Sequence, residues 1–350
     1  MAIVWCGVDV SKRQLDVAIA GQHRTLTNDA RGHARLVEWV RQVAGAAAVH
    51  VVVEASGGYE QPLLWHLHAA GLRVHLVEPK RVRAWAQAQG RRAKTDRIDA
   101  EVLRTYGEVC RPPAWQAPEA ALQEMLWALG FLQLVQAMKG QCKNFREKLP
   151  YKPHCPAVVQ VGSALLLEVQ EMLEEWIFAM LQARLQAVPA WREAMQRLRT
   201  VPGVGERLAV YLTVFFLWWE VHTQGHGRVR ALVAMLGLDP MTAVSGGRAV
   251  RPAHISRRGW PWLRGMVYMG AWNAARHPQN VLGQFYRRLR ARGKCHKVAV
   301  VACSRKVLIW AYAVFRSGQK FDPQLAQPRN SAMPVHPVTP SQSTEDAMVA

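Results

Sequence analysis

The chain has 350 residues, 50% of them hydrophobic and 20% charged, an ordinary globular composition with room for two or three cores. Its charge is not ordinary: 45 Lys and Arg against 25 Asp and Glu leave a formal +20, a surface suited to polyanions. The longest strongly apolar run, Leu208 to Trp219, has 12 residues where a bilayer span needs about 20, so no membrane segment is expected.

No secretory leader is expected either, because Asp9, Lys12 and Arg13 interrupt the apolar start. Six cysteines at irregular spacings, with no Cys-x-x-Cys pair, read as reduced thiols of a cytoplasmic protein.

In chain order, residues 1–110 alternate strand-like and helix-like runs. Ile3–Val10 and Leu15–Ala20 read as paired strands, and His23–Asn28 as a third. Leu36, Val37, Val40 and Val43 give Ala30–Val43 a helical period. Val49–Val53 is a buried-strand run ending on Glu54. It is followed by a helix over Tyr59–Ala70, a strand over Leu72–Val77 and a helix over Arg81–Gln89. Such alternation predicts an α/β layer on a parallel or mixed sheet.

Residues 111–189 carry two long helical runs, Ala120–Glu147 and Ala157–Gln186, split by Pro150, Pro153 and Pro156. Leu122, Leu126, Leu129 and Leu132 stripe the first, predicting an antiparallel hairpin or a coiled-coil oligomerisation arm. Residues 190–321 read as a basic, mostly helical domain. It opens with Val201-Pro-Gly-Val-Gly205, a turn that resembles a helix-hairpin-helix element and equally suits any tight link between helices. Residues 322–350 lack periodicity and read as a disordered tail.

From Pro240 to Phe321 there are sixteen Lys or Arg and no Asp or Glu. A merely solvated helix face mixes both signs, so this segment predicts nucleic-acid binding. Arg248, Arg251, Arg257, Arg258, Arg264, Arg287, Arg288 and Arg290 are the candidate phosphate contacts. Trp260, Trp262, Tyr268, Trp272, Phe285 and Tyr286 lie among them, some for the core and some for stacking on unpaired bases.

Four carboxylates stand out in the first domain. Asp9 closes the first strand, Glu54 closes the Val49–Val53 run, and Asp96 and Asp99 are three apart at a helix start, hence on one face. Each alone also serves as a cap, a turn former or half of a surface ion pair. Together they form an oxygen-ligand set for one or two Mg²⁺ ions, the chemistry of phosphoryl transfer. A second candidate is Ser245, before Gly246-Gly247-Arg248. It is a turn residue on spacing alone, and a nucleophile if something activates it.

The motifs Gly7-Val-Asp-Val-Ser-Lys12, Glu54-Ala-Ser-Gly-Gly-Tyr59, Lys94-Thr-Asp-Arg-Ile-Asp-Ala100, Val201-Pro-Gly-Val-Gly205 and Ser245-Gly-Gly-Arg248…Ile255-Ser-Arg-Arg-Gly259 occur in that order. The sequence thereby resembles, over roughly residues 1–315, the DEDD-type insertion-sequence transposases, whose members are guided by a bridge RNA. The resemblance implies an α/β RuvC-like (ribonuclease-H-like) N-terminal domain, a helical coiled-coil middle and a mostly α C-terminal transposase domain. It implies Mg²⁺ on Asp9, Glu54, Asp96 and Asp99, and Ser245 as the nucleophile that forms a covalent phosphoserine link with DNA.

The partners it implies are donor and target DNA, a non-coding guide RNA and further copies of the chain in a homo-oligomer (dimer or tetramer). The location it implies is cytoplasmic and nucleoid-associated. Ser256 is the alternative serine. A metal-dependent junction-resolving nuclease acting by water attack, and a non-catalytic nucleic-acid binder, remain the alternative functions.

Overall fold

The computed structural model describes residues 2–90, 96–245 and 248–326; the side chains of residues 96–98 and 242–253 lie outside the described residues. The chain divides into two compact units. The first comprises Met1–Glu124 with Trp218–His226, and the second Met125–Leu217 with Gly227–Ala350.

In the first unit, β1 (Ile3–Val10), β2 (Gln14–Ile19) and β3 (Gln22–Thr27) form an antiparallel meander. The β2–β3 link is the two-residue turn Ala20-Gly21, both with positive φ, the geometry that suits the right-handed twist of a hairpin. α1 (Ala30–Ala44) is capped by Asp29, whose carboxylate accepts from Gly32 N at 2.8 Å. It leads to β4 (Ala48–Glu54), which lies parallel to β1. α2 (Gln61–Ala69) then leads to β5 (Arg73–Val77), parallel to β4. The strand order is β3-β2-β1-β4-β5.

Helices α3 (Pro79–Ala88) and α4 (Asp96–Cys110) complete the unit. β1 and β4 read as continuous apolar runs because both their faces are covered. Val8, Val10, Val51 and Val53 pack toward α1 and α2; Trp5 and Val52 pack toward Val82 of α3 and Val102, Leu103 and Tyr106 of α4.

The strands and helices expected of this unit lie within a few residues of their predicted bounds. The helix expected from Tyr59 begins at Gln61 instead. The reason is Glu60, whose carboxylate accepts from Ser56 N, Ser56 Oγ and Gly58 N at 2.8–2.9 Å and holds residues 56–60 as a turn.

The second unit is mostly helical. α5 (Ala120–Glu147) begins in the first unit and runs on into the second. α6 (Ala157–Ala187) lies antiparallel to it, joined by Lys139 to Glu174 at 2.8 Å and by Cys142 Sγ to the Ser163 carbonyl at 3.3 Å. α7 (Pro189–Leu198) leads through the Pro202-Gly203 turn to α8 (Glu206–Thr223). Gly203 is required there: a Cβ on it would meet the Gly270 carbonyl at 2.6 Å. α9 (Val229–Met235), α10 (Pro261–Ala275), α11 (Val281–Ala291), α12 (His296–Ser317) and the single turn α13 (Pro323–Ala326) follow. The expected disordered tail thus starts with a helical turn, and residues 327–350 lie outside the described residues.

Two features of this mostly helical unit were not read from the sequence. First, β6 (Pro240–Ser245) and β7 (Arg248–Ile255) form an antiparallel hairpin within the basic, mostly helical region. The Gly246-Gly247 link between two β-capable runs was the available signal, and the arginines of β7 obscured it.

Second, α12 is long and apolar enough to cross a membrane by length and composition alone. That apolarity has a packing reason. Val300, Cys303, Val307, Leu308 and Ala311 are buried, and α12 packs against α7, α9, α10 and α11.

Candidate functional site

Parallel register brings two of the carboxylates together. Val8 lies opposite Val53 in the β1–β4 ladder, so the next pair along is Asp9 and Glu54, at the carboxyl ends of adjacent parallel strands. Alternation along each strand settles their face. Asp9 shares a side with Trp5 and Gly7, and Glu54 with Val52, which is the side covered by α4.

Helix α4 brings the others to the same end. A Cβ on Gly107 would meet Trp5 and Val52 at 2.4–2.6 Å, and one on Gly7 would meet the Ala100 carbonyl at 2.0 Å and Arg104 N at 2.4 Å. The helix therefore crosses β1 in the opposite sense to the strand, pressed so close that only glycine fits at both crossings. Asp9 lies two residues, about 6.6 Å, beyond Gly7 along the strand. Asp96 lies four residues, about 6 Å, before Ala100 along the helix. The first turn of α4, with Asp96 and Asp99, is thus level with Asp9.

Asp9, Glu54 and Asp99 are half-buried, and none of the three is without a polar or electrostatic partner. Among the described residues no group of three His, Cys, Asp or Glu side chains is already close enough to hold a metal, and the side chain of Asp96 lies outside them. The donor chemistry nonetheless fits a hard divalent cation such as Mg²⁺, since every member of the set offers carboxylate oxygen and none offers sulfur or imidazole.

Several supporting residues gave no sequence signal. Asp16 of β2 is directly opposite Asp9 and so faces the same side; its carboxylate accepts from Thr25 Oγ1 at 2.7 Å. Asn28 ties the loops after the two acidic strands, donating through Nδ2 to the Ser11 carbonyl at 2.9 Å and the Tyr59 carbonyl at 3.1 Å. His33 Nε2 meets Asn28 Oδ1 at 2.8 Å. Burial, with His66 nearby, holds the His33 pKa below the usual imidazole range, so the ring is neutral near pH 7 and orients that amide by donating to it. For Glu60, burial alone would raise the pKa; hydrogen bonds from its own backbone and from Ser56 and Gly58 outweigh burial and lower it. Such contacts join residues far apart in sequence, which a linear reading does not see.

At the opposite end of the same face, His50 Nδ1 and His75 Nε2 lie 3.1 Å apart beneath Trp5, and His75 Nδ1 meets the Pro112 carbonyl at 2.7 Å. Burial, then the neighbouring His75 and Arg73, pushes the His50 pKa down to about 4.

In the second unit Ser245 ends β6 and pairs with Arg248, the first residue of β7, so serine and arginine flank the hairpin tip. The side chains of Ser245, Arg248 and Arg251 lie outside the described residues. Ser256 is at the hairpin's base, where its hydroxyl donates to the Asp239 carboxylate and its N–H to the Asp239 carbonyl at 3.1 Å. That brace closes the open end of the hairpin.

The cations divide in two. Arg257 and Arg258 are exposed. Arg264, grouped by sequence with the phosphate contacts, is half-buried and donates to the carbonyls of Leu236 and Arg258 at 3.1 and 2.9 Å, bracing the main chain. Arg287 and Arg290 are exposed and each caps a carbonyl, Pro278 at 2.7 Å and Lys294 at 2.8 Å, with other donors left over. Of the aromatics, Trp260 packs on Phe215 and Trp262 on Tyr211 in the core, while Arg288 and Lys306 lie over Phe285.

Comparison with known proteins gives two family matches. A family model described as transposase, of the DEDD IS110 type, matches residues 6–124, and one described as transposase of the IS116/IS110/IS902 family matches residues 195–287. The pilin gene-inverting protein of Moraxella lacunata is 25% identical over 339 residues, 93% of this chain and 99% of that protein. Its Moraxella bovis counterpart matches equally. The transposase for insertion sequence element IS1111A of Coxiella burnetii is 26% identical over 308 residues, 78% of this chain and 80% of its own length. The chain belongs to the IS110 family of DEDD transposases.

Proposed function

We propose that the protein recombines the DNA of a mobile insertion sequence through a covalent phosphoserine intermediate, with donor and target chosen by a non-coding guide RNA. The observation that carries the reading is the register of β1 on β4 beneath α4, which gathers acidic residues distant in sequence at one sheet end. The strand order β3-β2-β1-β4-β5, antiparallel on one side of β1 and parallel on the other, supports a RuvC-like, ribonuclease-H-like domain.

Asp9, Glu54, Asp96 and Asp99 would hold Mg²⁺. When bound, the metal supplies electrostatic stabilisation of the charge that builds on a phosphodiester in displacement. Ser245 Oγ attacks the phosphorus, the Oγ–P bond forms as a P–O bond of the DNA strand breaks, and the released deoxyribose oxygen takes up the proton. Arg248 and Arg251, beside it on the hairpin, neutralise the phosphate, and Arg257, Arg258, Arg287, Arg288 and Arg290 hold nucleic-acid backbone. The cation density from Pro240 to Phe321 suits DNA and guide RNA together. The site of action follows as cytoplasmic, at the nucleoid.

A homo-oligomer, dimer or tetramer, is supported by the helical arm. Trp127, Phe131, Leu134 and Met138 on α5 are exposed at intervals of four, three and four. On α6, Leu165, Val169, Met172 and Trp176 repeat the same intervals, also exposed. Apolar stripes at these intervals, left exposed by the described residues, suit coiled-coil seams between copies of the chain.

The test is denaturing gel electrophoresis of the protein incubated with end-labelled donor DNA, guide RNA and Mg²⁺. The wild type should carry label through denaturation, and Ser245→Ala should carry none while still binding DNA. Label retained on the alanine variant would remove Ser245 from its role. The same sheet end would also serve water attack in a junction-resolving nuclease, and cleavage without any protein-bound label identifies that reading.

A further inference from the structure

Helices α11 and α12 and the turn α13 enclose a cleft of about 370 Å³ that, of the residues given a role above, holds only Arg288. Phe285, Arg288 and Arg292 stand on one stripe of α11 and its C-cap, at intervals of three and four; Lys306 and Trp310 stand on α12, four apart. The ammonium of Lys306 lies 5.7 Å from the Phe285 ring centre and 5.9 Å from that of Trp310. The guanidinium of Arg288 lies 5.6 Å from the Phe285 ring. Phe321 packs on Trp310 at 5.2 Å and holds the indole in place.

Two features distinguish this from an aromatic core contact. The rings are only half-buried, with cations over their faces, while Val281, Leu325 and Ala326 supply the aliphatic part of the lining. Further, the chain from Pro240 to Phe321 contains no carboxylate to neutralise those cations, and the next acid, Asp322, caps α13 by accepting from Gln324 N at 2.8 Å. Aromatic faces flanked by three cations, set in a stretch without acidic residues, match a flat, π-rich group carrying a negative charge.

We propose that this cleft binds one unpaired nucleotide of a single-stranded segment, its base against Phe285 and Trp310 and its phosphate against Arg288, Arg292 and Lys306. Duplex is excluded from this role because its bases are stacked on one another and cannot enter between two helices. The inference rests on the reading of this domain as a nucleic-acid binder, and it is independent of the carboxylates and of Ser245.

Fluorescence anisotropy with a labelled ten-nucleotide oligothymidylate, an oligouridylate of the same length and a blunt DNA duplex tests it at constant salt. Trp310→Leu and Phe285→Leu should each weaken binding of the single strands by roughly 5- to 100-fold, the range one lost base stack commonly gives, and leave duplex affinity within twofold. Phe285→Tyr keeps the ring and should bind as the wild type. Lys306→Gln should weaken single strands and reduce the slope of log affinity against log salt by about one. The preferred oligonucleotide identifies the occupant as DNA or RNA.

Single-strand affinity unchanged in the leucine variants overturns the proposal. So does an equal loss on duplex, which would mean a general phosphate surface. A thermal melt accompanies each variant: if the leucine variants lower it and Phe285→Tyr fails to restore binding, the rings serve packing and the proposal is wrong. Asp9→Asn and Ser245→Ala should bind the single strands normally, so failure of the catalytic reading leaves this result standing.

Discussion

The acidic end of the first unit and the cationic surface of the second are built in opposite ways. Asp9, Glu54 and the first turn of α4 are spread over ninety-odd residues and meet only because β1 pairs with β4 and α4 crosses β1 at two glycines. The cations need no such assembly: sixteen stand within one stretch from Pro240 to Phe321, spread over β7, helices α10 to α12 and the turns flanking them. A site that must fix oxygen atoms relative to one another needs rigid neighbours, whereas a surface that attracts a polyanion needs mainly density of charge. The two should therefore fail differently when altered.

The largest effect is expected from the carboxylates themselves. Asp9→Asn or Glu54→Gln should lower strand cleavage by at least about a thousandfold, or roughly 4 kcal/mol in barrier, with DNA affinity changed less than threefold. Arg257→Gln with Arg258→Gln should do the reverse, weakening binding uniformly over DNA sequence and flattening its salt dependence by about one per cation. Loss of binding in the acidic variants, or loss of cleavage alone in the basic ones, would break the division.

The next effect concerns the scaffold. Gly7→Val places side-chain atoms where the backbone of Ala100 and Arg104 lies, closer than any contact that relaxes without moving α4. A loss of about 3 kcal/mol or more is expected in urea unfolding of the first unit, together with loss of cleavage. An unchanged midpoint would mean that α4 does not bear on β1 as described.

These two cases show what a linear reading sees and what it misses. The strands and helices of the first unit were legible because burial on both sheet faces writes apolar runs, and β3, an edge, writes a polar one. The pairing of Asp9 with Glu54 was legible only as two strand ends, since register is not recorded in either segment alone. Asp16, Asn28 and Glu60 were invisible: each bonds a partner brought to it by the fold, and each residue type is common in loops. In the second unit the β6–β7 hairpin escaped because its strands carry arginine and proline in place of alternating apolar residues. Its Gly-Gly link reads as a turn in the sequence, but the strands on either side of it do not read as strands.

Acid offers a milder probe of the same scaffold. His50 is buried and its pKa falls to about 4, against an ordinary imidazole value near 6.5 when unfolded. Above that unfolded value both states are neutral and nothing is lost; as pH falls from about 6.5 toward 4 the unfolded chain takes up the proton first. The first unit should thus lose on the order of 2–3 kcal/mol across that window from this residue. His33 and His75, also shifted downward by burial, act in the same direction. Thermal melts from pH 7 to 4 should show the decline, and His50→Asn should flatten it. A decline of equal steepness in that variant would assign the acid sensitivity elsewhere.

The smallest effect expected is the most informative about positioning. Asn28 reaches the loop after Asp9 through Ser11 and the loop after Glu54 through Tyr59, and His33 fixes which way its amide points. Asn28→Ala removes three hydrogen bonds, two donated to main-chain carbonyls and one accepted from His33, at a partly exposed position, a cost of about 1–2 kcal/mol in stability. A structural role alone would stop there. If the amide also holds the two carboxylate-bearing strand ends in register with each other, cleavage should fall by a further factor of about ten at temperatures well below the melt, and Mn²⁺ affinity by titration calorimetry should weaken in parallel. Asn28→Asp keeps the acceptor that His33 meets but loses the donor to both carbonyls, so it should resemble alanine in cleavage. An aspartate variant as active as the wild type would show that the strand ends are held by the sheet without help from the loops. The rigidity argued for the acidic site would then reside wholly in β1, β4 and the glycine crossings of α4.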